Sequence, residues 1–338
     1  MQQENVMQQE IKNRNTDTPE KQPRVSIVMC TYNGERFLRE QLDSLLAQTW
    51  PFAELIIQDD CSTDGTCAIV EEYRRNCPDR DIRLYRNAKN LGFERNFLTV
   101  VGRTAGDYVA YCDQDDVWRE DKVEVLMQHI DGCTMAFCNS TIIDEHGTQS
   151  HLFYRKPMPA YPDAISSTLY PVAYGHQMLF CRDVAIMLGR FAQYRISFDY
   201  LTYNVAAAMG RIAYVDQPLT YWRRYTGATT YSPEGASASR WSGYKAALQA
   251  LRKKSNRKVS ARYFFLLTSV VPFRDRMARR MARLMATGRA FDIFCACLWC
   301  AFHPRRAEYR AHGLLAVLRA FFLPLAFIRD HGRYIVRE

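Results

Sequence analysis

The sequence predicts an α/β fold in which helices cover both faces of a mostly parallel sheet, followed by a basic helical region. Strand-like apolar runs alternate with helix-like runs through the first half of the chain. The turns between them are short and polar, which is typical of parallel strands joined by crossover helices. From Arg240 onward the periodicity becomes helical and acidic residues become scarce.

Each element of the first half has its own signal. Val25–Cys30 is a short apolar run of strand length. The helix that follows, through about Ala47, places Leu38, Leu42 and Leu45 on one face. Later strands are expected at 54–58, 81–85 and 108–112, and later helices at 67–76 and from about 93.

The second half is expected to contain a helix at about 119–130, a strand at 134–139 and a hairpin turn at 143–147. Residues 150–170 resemble a loop because they contain several proline and tyrosine residues. A strand beginning near Gly175, a helix at about 196–209, a short strand at 212–215 and an aromatic run at 219–225 complete this half.

Charge divides the chain into two parts. From Arg240 to the end there are 21 lysine and arginine residues against 5 aspartate and glutamate residues, whereas the preceding part has 24 against 31. A basic region of this kind suits phosphate-rich partners, either nucleic acid or an anionic membrane surface. Its aromatic residues lie in apolar runs, which favours membrane contact or packing over nucleic-acid binding.

The remaining features of the composition predict the cellular compartment of the protein. Residues 1–22 are polar and are expected to form a disordered tail. No secretory signal is seen there, and several of the 11 cysteines lie in apolar strands, so we expect a reduced, cytoplasmic protein. No run reaches the roughly 18 apolar residues of a membrane span. The arginine-flanked runs 291–302 and 314–328 favour helices lying on the cytoplasmic face of a membrane.

Three carboxylates follow the fourth strand, at Asp113, Asp115 and Asp116. Like charges this close resist ionising together unless a cation is present. Asp113 and Asp115 are two residues apart, so in an extended segment they lie on the same side and could hold a divalent metal through oxygen. The alternative is an acidic surface turn that caps the next helix.

Two other polar clusters, Thr31–Asn33 and Asp59–Asp60, also follow predicted strands. In parallel α/β sheets, ligands bind beyond the carboxyl ends of the strands, so the three clusters should meet in one crevice. Asp59 and Asp60 could also be plain turn formers. The chain has neither G-x-G-x-x-G nor G-x-x-x-x-G-K-[ST], which argues against a dinucleotide fold of the usual kind and a P-loop.

Together the motifs resemble family-two glycosyltransferases, an inverting class with a GT-A nucleotide-sugar-binding fold. Val25–Asn33 resembles that family's opening strand and turn, and Asp59–Thr66 is similar to its D-D-G-S-T-D-G-T element, with Cys61 in place of glycine. Asn90–Phe97 and Cys112–Trp118 resemble the rhamnosyltransferase-like branch. The resemblance covers about residues 24–227. It implies a catalytic domain over 23–235, with a nucleotide-sugar half at about 23–117 and an acceptor half at about 118–235, before a basic amphipathic region at 236–338.

The resemblance also implies roles for individual residues. The implied nucleotide-sugar contacts are Thr31, Tyr32, Asn33, Asp59, Asp60, Asp113, Arg223 and Arg224. The implied ligands of a divalent metal, Mg or Mn, are Asp113 and Asp115. Asp199 matches the catalytic base, although the family's usual partner before it is replaced by Phe198, and Asp199 could instead cap a helix.

Three residues are expected near the sugar or the acceptor, each with an alternative. Asp116 could face the acceptor or cap the next helix. Trp118 could pack against the donor sugar or belong to the core, and His176 could contact the acceptor or be a hydrogen-bonded core histidine. Arg223 and Arg224 could also be solvated rather than bound to phosphate.

The function implied by the resemblance is transfer of a sugar, possibly rhamnose, from a dTDP- or UDP-linked donor to a glycan or lipid-linked acceptor during cell-surface polysaccharide synthesis. Two alternatives remain open: a sugar nucleotidyltransferase and a non-catalytic nucleotide-sugar-binding protein. A nucleotidyltransferase would usually carry a glycine-rich basic loop after the first strand, and Thr31–Arg36 is not such a loop.

Overall fold

A computed structural model describes residues 22–228, 240–308, 311–332 and 335–337. The predicted tail at 1–22 therefore lies outside the described residues except for Gln22, and the predicted boundary at 235/236 also lies outside them. The first half alternates strands and helices as expected. In order, these are β1 Val25–Thr31, α1 Leu38–Leu46, β2 Glu54–Asp59, α2 Thr66–Asn76, β3 Ile82–Arg86, α3 Phe93–Val100 and β4 Tyr108–Cys112.

The second half is less regular. Its elements are β5 Val117–Trp118, α4 Lys122–His129, β6 Met135–Ile143, β7 Gln149–Leu152, α5 Ala164–Leu169, β8 Met178–Cys181, α6 Arg182–Gly189, β9 Arg195–Ile196, α7 Phe198–Met209 and β10 Ile212–Arg223. The expected hairpin is present, because β6 and β7 pair antiparallel with Ile143 opposite Gln149. The loop expected at 150–170 is partly wrong, since β7 overlaps its start and α5 lies within it. The two short runs expected at 212–225 form one strand, whose register shifts between Val215 and Thr220 absorb Pro218.

One nine-stranded sheet carries the fold, in the order β3-β2-β1-β4-β8-β6-β10-β5, with β7 paired to β6. Strands β3, β2, β1 and β4 are mutually parallel, and β6 and β10 run the same way. Strand β8, running the opposite way, joins the two parallel groups. Alternate residues of β1 enter opposite cores, Ile27 and Met29 on one face and Val28 and Cys30 on the other, so both faces are covered.

The basic region is helical, as predicted. It consists of α8 Arg240–Arg252, α9 Lys254–Val270, α10 Arg276–Ala286, α11 Ala290–Phe302, α12 Pro304–Ala307 and α13 Gly313–His331, ending in β11 Val336–Arg337. Among the described helices, none combines the length and apolar content needed to cross a membrane.

These C-terminal helices pack on the preceding α/β part of the chain, which is one of the alternatives the sequence left open. Tyr263 of α9 is buried against α7 and donates a hydrogen bond to Asn204 Oδ1 at 2.6 Å. Strand β11 pairs antiparallel with β9, and the Ser197 amide donates to the Ile335 carbonyl at 3.2 Å. The region that supports α7, and with it Asp199, therefore comes from both parts of the chain.

Candidate active site

A cavity of about 330 Å³ lies at the carboxyl ends of β1, β2 and β4, where the sequence predicts a crevice. Thr31, Tyr32, Asp60 and Asp113 line it from one side. Residues from the second half of the α/β part line the other side, namely Tyr174, Gly175, His176, Phe198, Asp199, Trp222, Arg223 and Ala228. Three predicted polar clusters thus contribute residues to one cavity because parallel strands end at the same edge of the sheet.

Asp59 and Asp60 have different positions. Asp59 is fully buried and does not line the cavity; its carboxylate accepts hydrogen bonds from the Ser62 amide at 3.0 Å and from the hydroxyls of Thr31 and Ser62. Asp59 therefore holds the turn, and its expected nucleotide contact stays a prediction. Cys61 in that turn has φ of 69°, the left-handed conformation that favours the glycine expected there.

Asp60 lines the cavity, but its carboxylate is engaged by the segment after β3. Its oxygens accept hydrogen bonds from the amides of Leu91 at 2.7 Å and Gly92 at 2.8 Å, and from Asn87 Nδ2 at 2.8 Å. Asp60 therefore fixes the loop that forms one wall of the cavity.

Tyr32 and Asn33 lie at the end of β1. Tyr32 is 51% exposed at the rim, with its backbone held on both sides by the side chain of Gln114. Asn33 is not part of the cavity lining; its side-chain oxygen accepts from the Thr63 amide at 2.9 Å, and its expected donor contact stays a prediction. The ring of Tyr32 is thus available to a planar ligand.

Asp113 and Asp115 of the acidic cluster line the cavity, and the neighbouring Asp116 is buried. Burial, followed by repulsion from Asp113, raises the pKa of Asp115 to about 6. Burial, together with the charges of Asp115 and Asp113, raises the pKa of Asp116 well above its ordinary value. The repulsive part of both shifts comes from neighbouring aspartates, so these carboxylates oppose one another's ionisation.

His176 lies beside this cluster. Its Nδ1 is 3.6 Å from Asp113 Oδ2 and 3.9 Å from Asp116 Oδ2, while its Nε2 is 3.1 Å from Ser140 Oγ. Burial lowers the pKa of His176, which favours the neutral ring that a metal requires. Asp113, Asp116 and His176 can each offer a ligand atom within 4.8 Å of the others. Asp116 Oδ2 is buried without a hydrogen-bond partner in the described structure, so these residues fit a cation.

Asp115, the predicted second metal ligand, also lines the cavity. Its Oδ2 accepts a hydrogen bond from Tyr225 Oη at 3.1 Å. Asp113 is therefore common to two candidate ligand sets, one with Asp115 along the loop and one with Asp116 and His176 across it. Asp116 itself is 1% exposed and is not among the residues that line the cavity, and its expected acceptor contact stays a prediction.

Arg223 is 2% exposed and holds the acidic loop from behind. Its amide donates to Asp116 Oδ1 and its Nε to the Asp115 carbonyl, both at 2.9 Å. Its two terminal nitrogens bond to Glu40 and to the carbonyls of residues 144 and 145. Each of the three guanidinium nitrogens has a protein partner, and Arg223 also lines the cavity, so its expected phosphate contact stays a prediction.

Two other predicted contacts lie away from the cavity lining. The Trp118 side chain is 3% exposed beneath Lys122, whose Nζ is 3.5 Å from the ring centroid, so Trp118 belongs to the core. The guanidinium of Arg224 lies 4.7 Å from the ring centroid of Trp222. Sequence reasoning missed Gln114, Tyr174, Trp222 and Tyr225, although Tyr225 directly follows the two arginines that it singled out.

Asp199 faces the cavity from the first turn of α7. Its Oδ1 accepts from Ser197 Oγ at 2.7 Å and from the Tyr200 amide at 2.8 Å. Burial raises its pKa to about 6, with a smaller contribution from the charge of Asp113. Phe198, which replaces the acidic or histidine partner expected there, stacks on Phe97 with ring centroids 4.2 Å apart. Asp199 therefore faces the cavity without the acidic or histidine residue that was expected directly before it in the sequence.

Comparison with known proteins agrees with this geometry. Residues 26–189 match the family model of glycosyl transferase family 2. This match supports the resemblance to family-2 glycosyltransferases that the motifs predicted. The match and the observed sheet confirm the α/β fold of GT-A type, followed by a helical C-terminal region.

Curated relatives are similar over parts of the chain. A putative teichuronic acid biosynthesis glycosyltransferase, TuaG, of Bacillus subtilis is 32% identical over 150 residues, covering 44% of this chain and 59% of that protein. A dTDP-rhamnosyl transferase, RfbG, of Shigella flexneri is 37% identical over 99 residues, covering 28% of this chain and 34% of that protein. The matched segments thus span less than two thirds of either relative.

Solved structures are similar at greater distance. S. aureus TarS 1–349 in complex with UDP-GlcNAc is 15% identical, covers 92% of this chain and 91% of that chain, and has a TM-score of 0.49. A mannosyltransferase from Pyrobaculum calidifontis in complex with GDP-Man and Mn²⁺ is 16% identical, covers 94% and 90%, and has the same TM-score of 0.49. Likenesses at this level say nothing about substrate.

Proposed function

We propose that this protein is an inverting glycosyltransferase that moves a sugar from a nucleoside-diphosphate donor to a cell-surface glycan or its lipid-linked precursor. The observation that carries the proposal is that Asp199 and Asp113 line one cavity within a fold that contains a family-2 domain. A carboxylate with a pKa of about 6 is suited to accept a proton near neutral pH.

Asp199 is the base in this proposal. Its Oδ1 is fixed by Ser197 and Tyr200, so Oδ2 takes the proton of the acceptor hydroxyl. The acceptor oxygen then bonds to the anomeric carbon as the bond from that carbon to the diphosphate oxygen breaks. Attack and departure on opposite faces of the carbon give inversion.

Asp113 holds the diphosphate side of the site, together with Asp115 or with Asp116 and His176. When bound there, Mg²⁺ or Mn²⁺ would neutralise charge on the departing nucleoside diphosphate. Tyr32 offers an exposed ring at the rim, where a nucleoside base can stack. Similarity to a dTDP-rhamnosyl transferase supports testing dTDP-rhamnose first.

The proposed function is tested by release of nucleoside diphosphate from a panel of nucleotide sugars, with Mg²⁺, with Mn²⁺ and with a chelator. We expect metal-dependent release from a dTDP- or UDP-linked sugar in the wild type. NMR of the transferred product then reports the anomeric configuration. Absence of release from every donor would contradict the proposal, and release of pyrophosphate from a nucleoside triphosphate plus a sugar phosphate would favour the nucleotidyltransferase instead.

We also propose that the C-terminal region contacts an anionic membrane on the cytoplasmic side. On α10, Arg276, Arg279, Arg280 and Arg283 are exposed along one face. On the neighbouring α11, the exposed side chains are Phe291 at 73%, Phe294 at 46%, Leu298 at 37% and Phe302 at 78%. An arginine stripe beside an apolar stripe suits lipid headgroups and the upper acyl chains.

Sedimentation with vesicles of phosphatidylglycerol or of phosphatidylcholine tests this contact. The wild type should bind the anionic vesicles and lose binding at high salt. The double variant Phe291→Ser/Phe302→Ser should bind less, while Tyr161→Ser, another exposed aromatic residue, serves as the control. Equal binding by all three proteins would contradict the membrane proposal.

A further inference from the structure

Two further cavities lie in series beside the candidate active site, each sharing lining residues with the one before. The first, of about 380 Å³, shares Tyr174 with it and is lined by Tyr200, the neighbour of Asp199. The second, of about 580 Å³, shares Phe153 and Tyr154 with the first. These two cavities together are called the acceptor groove below. The groove leads from the base toward the C-terminal helices.

The end of the groove near Asp199 is aromatic. Its half-buried rings are Phe153, Tyr154, Tyr170, Tyr174 and Tyr200. Tyr154 is held in place because its hydroxyl donates to Gln177 Oε1 at 2.9 Å, and Tyr200 packs against His331 with ring centroids 4.4 Å apart. Fixed aromatic faces attract the polarised C–H groups of a pyranose ring, so this end suits a saccharide.

The far end of the groove is basic. Arg155 and Lys156 are exposed there, and half-buried Arg319 of α13 faces them. Glu308 is the one acidic residue in this lining, so basic residues outnumber it by three to one. Three cations around a cavity suit a phosphate or diphosphate group, to which arginine can donate two hydrogen bonds at once.

Apolar surface begins immediately beyond that basic end. Leu314, Leu315 and Leu318 are 85%, 41% and 36% exposed, and all lie within the turn and a half that precedes Arg319 on α13. The stripe of α11 continues this surface, because Phe294 contacts Phe321 of α13 at a ring distance of 6.1 Å. The order from the base outward is therefore aromatic, basic and apolar.

From this order we infer that the acceptor is a saccharide carried on a lipid diphosphate. The sugar occupies the aromatic end beside Asp199, the diphosphate lies among Arg155, Lys156 and Arg319, and the lipid leaves over the leucines of α13. This inference rests on the proposed function and specifies its acceptor. The three parts of such a molecule occur in the same order as the three surfaces.

Binding of farnesyl diphosphate to the full chain in detergent, measured by calorimetry, tests the inference. Farnesol and inorganic pyrophosphate serve as probes that each lack one part. The variant Arg155→Ala/Lys156→Ala is compared with the control Arg75→Ala/Arg190→Ala, which removes two exposed arginines outside the groove. A further variant, Arg319→Gln, is tested with them, and hydrolysis of the donor sugar is measured on all four proteins.

We expect farnesyl diphosphate to bind the wild type at least tenfold more tightly than either partial probe. The groove double variant and Arg319→Gln should each weaken binding at least fivefold, while the control stays within twofold and donor hydrolysis is unchanged. Equal binding by groove and control variants, or pyrophosphate binding as tight as that of farnesyl diphosphate, would overturn the inference. Loss of the proposed function is distinct, since it would appear as absent donor hydrolysis in the wild type.

Discussion

The side-chain amide of Gln114 bonds both backbone groups of Tyr32: the Tyr32 amide donates to Gln114 Oε1 at 2.9 Å, and Gln114 Nε2 donates to the Tyr32 carbonyl at 3.1 Å. This pair ties the segment after β1 to the acidic loop after β4. A side chain at position 34 would displace the Gln114 amide, because a Cβ built on Gly34 lies 2.3 Å from Gln114 Oε1.

Gly34→Ala should therefore loosen the donor site without unfolding the protein. We expect the KM for the donor to rise about tenfold, since misplacing a positioning contact by a fraction of an ångström weakens ground-state and transition-state binding together. Steady-state hydrolysis of the donor measures this effect. Gly102→Ala is the matched control, because no atom lies within 4 Å of the Cβ it adds. An unchanged KM in Gly34→Ala would show that the Gln114 pair does not position the donor.

Asp199→Asn should separate catalysis from stability. Without the base, transfer should fall by a factor of about 100 or more. In the wild type, transfer should rise with pH through about 6, as Asp199 loses its proton. A flat profile from pH 5 to pH 8 would contradict its assignment as the base.

The same substitution should stabilise the fold at neutral pH. The folded pKa of Asp199, about 6, lies above the ordinary value of 3.8. Proton binding thus contributes stability that is complete below about pH 4 and is lost as the pH rises to 6. Asn keeps the hydrogen bonds to Ser197 and Tyr200, so Asp199→Asn should gain on the order of 2 kcal/mol over wild type at pH 7.5 and nothing at pH 4. Urea unfolding at both pH values measures the difference.

Asp115→Ala should abolish transfer while the folded state stays at least as stable, because it removes one of three neighbouring carboxylates that repel one another. Calorimetric unfolding and donor hydrolysis report the two effects. Full activity in Asp115→Ala would contradict the assignment of Asp115 as a metal ligand. The candidate ligands would then be Asp113, Asp116 and His176.

Excess Mn²⁺ should raise the unfolding temperature of the wild type by several degrees, because a ligand that binds only the folded state stabilises it. Asp113 belongs to both candidate ligand sets, so Asp113→Asn should lose most of this shift. Asp131→Asn, at an exposed position, should keep it. Retention of the full shift by Asp113→Asn would place the metal elsewhere.

Tyr263→Phe should destabilise the whole protein rather than the C-terminal helices alone. The buried Tyr263 hydroxyl bonds Asn204 Oδ1 of α7, and its loss leaves that oxygen unsatisfied at a cost of about 1–3 kcal/mol. Tyr161→Phe, at an exposed site, should change the free energy of unfolding by less than about 0.5 kcal/mol. Two separate unfolding transitions in the wild type would contradict a shared core.

Sequence by itself determined the strand and helix order of the first half and the acidic cluster at one sheet edge. Those features depend on local periodicity and on motifs such as Asp113–Asp116, which are readable within a few residues. The second half was less predictable, since β7, α5 and the continuous β10 depend on pairing with distant strands.

Only the tertiary structure decided what each polar side chain contacts. Arg223 holds the acidic loop through bonds to residues more than 100 positions away, and His176 reaches Asp113 across the sheet. The buried Asp59 carboxylate accepts a hydrogen bond from Ser62, whereas Asp199 lines the cavity. The sequence gives the type of each polar residue. Whether that residue bonds a structural partner or remains available to a ligand depends on its burial and on neighbours that only folding brings together.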